Sequence, residues 1–139
     1  MANLSGPQQA FNGDTTVKDT TRITPLLSRA RDVDGNEYVY LGGVASTVAG
    51  SWVTYASTGS TLLFAANAVG PVAVSMVSNN SASQYSWYQI YGKNTIALVG
   101  DGGAATKALY ISGTTGMAGF TDVASDAIIG ASSQTATSG

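Results

Sequence analysis

Tyr85-Ser86-Trp87-Tyr88-Gln89-Ile90-Tyr91 is the stretch whose reading decides the fold. Read at period two, Tyr85, Trp87, Gln89 and Tyr91 share one face of a strand, and Ser86, Tyr88 and Ile90 share the other. Similar alternation recurs upstream in Tyr38-Val39-Tyr40-Leu41, Trp52-Val53-Thr54-Tyr55 and Val72-Ala73-Val74-Ser75-Met76. β-Branched and aromatic residues alternating with Ser, Thr and Ala read as strands. From Tyr38 to Gly92 there is no Asp, Glu, Lys or Arg. A free-standing sheet guards its edges with Lys or other charges, which block edge-to-edge pairing. Strands without such guards imply a sheet that closes on itself or one that other protein covers. The expected fold is therefore all-β, a small compact β-barrel or β-sandwich.

The composition narrows function as well. Charged residues make up 10% of the 139 residues, against about 25% in ordinary soluble domains. One domain is the simplest organisation at this length, and such a chain buries about 68–70% of its unfolded surface. Cysteine is absent, which removes disulfides, thiolate metal sites and a Cys nucleophile. Histidine is absent too, and with it the commonest metal ligand and general base. Six Lys and Arg and a net charge of -2 make no nucleic-acid footprint. The most apolar window, Thr61 to Val77, is interrupted by Asn67, Gly70 and Pro71, so no membrane helix is expected. Met1 to Pro7 lacks a basic n-region and an apolar h-region. The expectation is a chain made in a cytoplasm, with no membrane partner.

Four of the basic residues, Lys18, Arg22, Arg29 and Arg31, crowd into a Thr-rich N-terminal segment broken by Pro25. Residues 1–31 read as an extended arm and 32–139 as a β domain. The arm is either solvated or reaches a neighbouring subunit or an acidic patch. Asp32-Val33-Asp34-Gly35-Asn36-Glu37 imitates the start of a calcium loop. Its Gly stands two positions early and position twelve is Gly43, so the sharp turn and bidentate ligand are both missing. A tight turn at Asp34-Gly35-Asn36 feeding a strand is the better reading. Thr61 to Val69 reads as a strand followed by a loop, despite its Leu and Ala content. Gly92-Lys93-Asn94 reads as the turn of a hairpin between Tyr85–Tyr91 and Thr95–Val99. Gly100-Asp101-Gly102-Gly103-Ala104-Ala105 matches a dinucleotide fingerprint, but a strand, Ala108 to Ser112, follows where that motif needs a helix. Met117 to Thr121 and Ala127 to Ala131 read as the last strands.

Chemistry has little to work with here. The carboxylates fall between Asp14 and Glu37, at Asp101, and at Asp122 and Asp126, and they read as solvated turn residues. No catalytic, cofactor or metal residue is assigned, and an enzyme is not expected. The aromatics Trp52, Tyr55, Tyr85, Trp87, Tyr88 and Tyr91 have three readings: core, anchors of a protein interface, or a platform for sugar rings. The candidate interface set is Lys18, Arg22, Arg29, Arg31, Trp52, Tyr55, Trp87, Tyr88 and Tyr91.

Several segments also carry a family likeness: Asn36 to Ala45, Gly50 to Tyr55, Gly70 to Met76, Ile90-Tyr91-Gly92-Lys93, Ala108 to Gly116, and Ile128 to Ala131. Through them the chain resembles the capsid decoration, or cement, proteins of tailed bacteriophages. That resemblance implies a compact, mostly β structural protein of the virion. It implies binding to the outer surface of the assembled head, where several copies clamp neighbouring major capsid protein subunits, commonly as dimers or trimers. The chain departs from the pattern in lacking one more apolar strand after a segment like 132–139. Either the chain stops short of the gene product or a neighbour completes the sheet. A tail or fibre module shares the low charge and the turns, and a carbohydrate-binding module shares the aromatics.

Overall fold

The computed structural model describes residues 14–100, 105–121 and 127–133. The described residues form nine strands and no helix: β1 (Arg29–Arg31), β2 (Glu37–Gly42), β3 (Trp52–Tyr55), β4 (Thr61–Leu63), β5 (Val72–Ser75), β6 (Tyr85–Tyr91), β7 (Ala108–Ile111), β8 (Ala118–Gly119) and β9 (Ala127–Ser132). Two sheets result, both antiparallel throughout. The larger has the order β1-β2-β6-β5-β3-β4 and the smaller the order β8-β7-β9. The all-β class expected from the alternation is the observed one.

The larger sheet rolls up. The Gly42 N–H donates to the Gly59 carbonyl at 3.0 Å, and the Thr61 hydroxyl donates to the Gly42 carbonyl at 2.8 Å. These bonds join the end of β2 to the start of β4, strands that are not neighbours in the sheet order. The rolled interior holds Val39, Leu41, Val53, Ala73 and Tyr88, each at most 1% exposed, and Leu27, Tyr55, Leu63 and Ile90 pack around them. Side chains one residue along each strand point outward instead, as the period of two requires. There Tyr40 lies opposite Trp87 and Trp52 lies opposite Val74. So β2, β3, β5 and most of β6 are covered on both faces by the chain itself.

The outer face has two covers. The small sheet packs Leu109, Ile111, Ala118 and Ile128 against Trp52, Phe64 and Val74. The N-terminal segment crosses the other half, above Tyr40, Tyr85 and Trp87. Asp19 and Tyr85 exchange backbone hydrogen bonds at 2.7 and 2.9 Å, and the Tyr40 hydroxyl donates to the Asp19 carboxylate at 2.8 Å.

Two expectations change. Residues 29–31 do not belong to an arm, because Arg29–Arg31 is β1, paired with β2 around the buried Ala30. The expected hairpin between Tyr85–Tyr91 and Thr95–Val99 does not form, because both edges of β6 are taken by β2 and β5. Gly92, at φ +106° with the Asn36 side chain against it, turns the chain away. The Asn94 side-chain oxygen then accepts from the Ile96 and Ala97 N–H groups and holds the new direction. Residues 98–100 run between the two sheets, bonding Gly50 and Ala118. Of the expected arm, residues 1–13 lie outside the described residues, as do 101–104, 122–126 and 134–139.

Candidate interaction surface

Charge is segregated in this structure. Among the described residues, every acid lies between Asp14 and Glu37, and every base except Lys93 and Lys107 lies there too. This follows from the sequence, but the fold gives it a place. That segment builds the β1–β2 end of the large sheet and the strap over Tyr40. The turn between β1 and β2 is organised by Asp32. Its carboxylate accepts from the Asp34 and Asn36 N–H groups, the Asn36 amide and the Tyr38 hydroxyl, at 2.9–3.0 Å. Burial works against ionisation there, yet the bonds from Asn36, Tyr38 and Asp34 hold the carboxyl below its ordinary value. This carboxylate is occupied in shaping a turn, and Gly35 at φ +85° completes it.

Of the candidate basic residues, Arg22, Arg29 and Arg31 are exposed and Lys18 is half-buried. Arg29 and Arg31 flank Ala30 on the edge strand β1, where charged side chains discourage pairing with another chain. Arg31 meets Glu37, its cross-strand partner, at 3.0 Å. An exposed pair of this kind contributes about 0.2–1 kcal/mol.

The candidate aromatics divide differently from the interface expectation. Trp52, Trp87 and Tyr88 are buried inside the subunit. Trp52 tilts against Phe64 at 5.8 Å between ring centroids, and its indole N–H donates to the Leu98 carbonyl at 2.9 Å. Trp87 tilts against Tyr40 at 5.2 Å. Tyr88 fills the rolled interior, and burial pushes its phenol up. Beside it the buried Asn79 amide adopts the orientation that satisfies its neighbours. Its oxygen accepts from the Gly43 N–H, Ser86 and Tyr88, and its nitrogen donates to the Gln84 carbonyl. These rings therefore do not line a surface. Tyr55 is half-buried at the end of β3, and Tyr91 is 66% exposed.

The surface that remains bare was not singled out by the sequence reading. Leu62 is 68% exposed on the edge strand β4, Val69 is 92% exposed before Gly70-Pro71, and Ile129 is 93% exposed on β9. A signal for Leu62 existed: period two turns Thr61 inward and so aims Leu62 outward on an edge without charge. A cleft of about 1090 Å³ opens between the sheets, lined by Val72, Tyr91, Asn94, Ile128 and Ile129 among others. The amides at its wall serve the loop that leaves β6. Gln89 donates to the Tyr91 and Lys93 carbonyls and accepts from Asn94 at 2.7 Å. Among the described residues no cluster of acids could hold a metal ion. The fingerprint at 100–105 is followed by strand β7, and its residues 101–104 lie outside the described residues. What this arrangement offers is apolar burial along uncharged edges. No protein-family model, curated protein or solved structure matches the chain.

Proposed function

We propose that the chain is a structural virion protein, a decoration protein that binds the outer surface of a bacteriophage capsid. In this reading it is made in the host cytoplasm, associates with itself as a dimer or trimer, and stabilises contacts between major capsid protein subunits. The observation that carries it is the charge-free stretch from Tyr38 to Gly92, which leaves Leu62 and Val69 bare, together with the bare Ile129 on β9. Bare apolar residues of this kind, two of them on edge strands, suit a surface that an assembly covers. A cement protein contacts several subunits at once, so patches that are weak singly give strong retention together. A sugar platform has less support, because Trp52, Trp87 and Tyr88 present no free ring faces.

Cryo-imaging of the phage particles, with and without this chain, tests the proposal. Density on the outer shell that disappears with the chain is the expected result, together with heads that burst at lower temperature. Density along the tail or fibres would replace it with the tail-module reading. Particles unchanged by loss of the chain would overturn both.

A further inference from the structure

We propose that the N-terminal strap, residues 14–24, exchanges between two copies of this chain, with Pro25 to Ser28 as its hinge. The inference stands apart from the capsid reading, since the isolated chain suffices for it. No residue from Asp14 to Thr24 is buried. The strap is instead held by hydrogen bonds: the paired backbone bonds of Asp19 and Tyr85, the Tyr40 hydroxyl on the Asp19 carboxylate, and the Ile23 N–H on the Tyr40 hydroxyl at 3.4 Å. Every one of these is a short list of contacts that a second copy presents identically.

The hinge is under strain. Leu27 sits at φ +70°, a left-handed conformation that only Gly adopts freely. It is held there by a tight turn, in which the Ser28 N–H and hydroxyl both donate to the Pro25 carbonyl, at 3.2 and 2.6 Å. Returning Leu27 to a negative φ straightens the turn and swings the strap off its own sheet, at the cost of the Leu27 N–H bond to the Tyr40 carbonyl, the two Ser28 bonds to the Pro25 carbonyl and the packing of Leu26 on the Tyr40 and Trp87 cluster. All strap contacts are remade on the second copy, so open and closed forms differ chiefly at the hinge. A short strained hinge favours exchange, and reciprocal exchange closes a two-fold dimer.

The chain has no cysteine, so engineered ones report cleanly. Asp19→Cys and Tyr85→Cys are made as separate variants, refolded together at high concentration and oxidised. Cross-strand neighbours that exchange both backbone bonds lie within disulfide reach. Exchange predicts a mixed disulfide between one chain of each variant, at least ten-fold above either homodimer. Monomers alone, or homodimers in equal amount, would overturn the proposal. Should either variant fail to fold, the wild-type chain gives the second measurement. Refolded at high concentration and diluted, it is followed by light scattering. A dimer that persists for hours after dilution supports exchange, because the straps must unthread. A dimer lost within minutes, or a monomer throughout, would sink it.

Discussion

The outer face of the large sheet has two covers, and they are built on different principles. The small sheet is fixed by apolar burial: Leu109, Ile111, Ala118 and Ile128 close over Trp52, Phe64 and Val74. The strap is fixed by hydrogen bonds and buries none of its own residues. The first cover carries Lys107 as its one described charge, whereas the second carries Asp14, Lys18, Asp19 and Arg22. Burial of large apolar side chains is worth about 1.5–3 kcal/mol each, whereas a hydrogen bond nets about 0.5–1.5 kcal/mol. The difference teaches that the small sheet belongs to the folded core, while the strap is a removable fitting on it.

The largest expected effect tests the first cover. Trp52→Ala should destabilise the chain by about 3–5 kcal/mol, read as a shift in the urea midpoint. Deleting residues 1–23 should cost less, roughly 1–3 kcal/mol, since it removes a few hydrogen bonds and the shade over Tyr40. The cut is placed before Pro25 because Arg29–Arg31 is a strand of the large sheet. Equal losses from the two changes would erase the distinction between the covers. On capsids the same deletion should weaken retention more than it weakens folding, if the strap also reaches a neighbour.

Much of this architecture was legible. β2, β3 and β6 were readable because each is long enough to show alternation and apolar on both faces. β1 was not, because Arg29-Ala30-Arg31 buries one small residue and leaves two charges exposed, which is also what a solvated arm looks like. The hairpin after β6 was misplaced for a different reason. Adjacency in sequence favours pairing, but the sequence does not reveal that β2 and β5 already occupy both edges of β6. The candidate site suffered from the same limit. Period two separates the two faces of Tyr85–Tyr91, yet it says nothing about which face is covered. Here both are, so Trp87 and Tyr88 went inside and only Tyr91 stayed out.

Alkaline pH sharpens the comparison at the strap. Burial, then the bond to Asp19, pushes the Tyr40 phenol up to about 12. Burial and the bond to Asp32 push Tyr38 up to about 12 as well. An unfolded tyrosine ionises near pH 10. Their contribution is therefore fully present below about pH 10 and is lost as pH rises through about 12. Tyr40→Phe should cost about 1 kcal/mol at neutral pH and flatten that alkaline decline. A decline of unchanged slope in the variant would mean that ionisation of Tyr40 does not drive the alkaline loss.

The smallest effect on folding is expected from Leu62→Lys, and it addresses the bare half of the molecule. Leu62 points away from the rolled interior on a strand edge that lacks any charge. In the isolated chain a lysine there keeps its ammonium in water, so stability should change by no more than about 0.5 kcal/mol. On a capsid the same ammonium would have to leave water without a partner, which costs far more than an exposed leucine gains. Retention on purified capsids, measured by co-sedimentation, should therefore fall sharply while the melting curve of the free chain stays put. Full retention would move the bound face to the other side of the molecule. The exposed Arg22 and Arg29 would then be the residues to reverse next, since an acidic capsid surface would be meeting the charged strap and β1 rather than the uncharged edges.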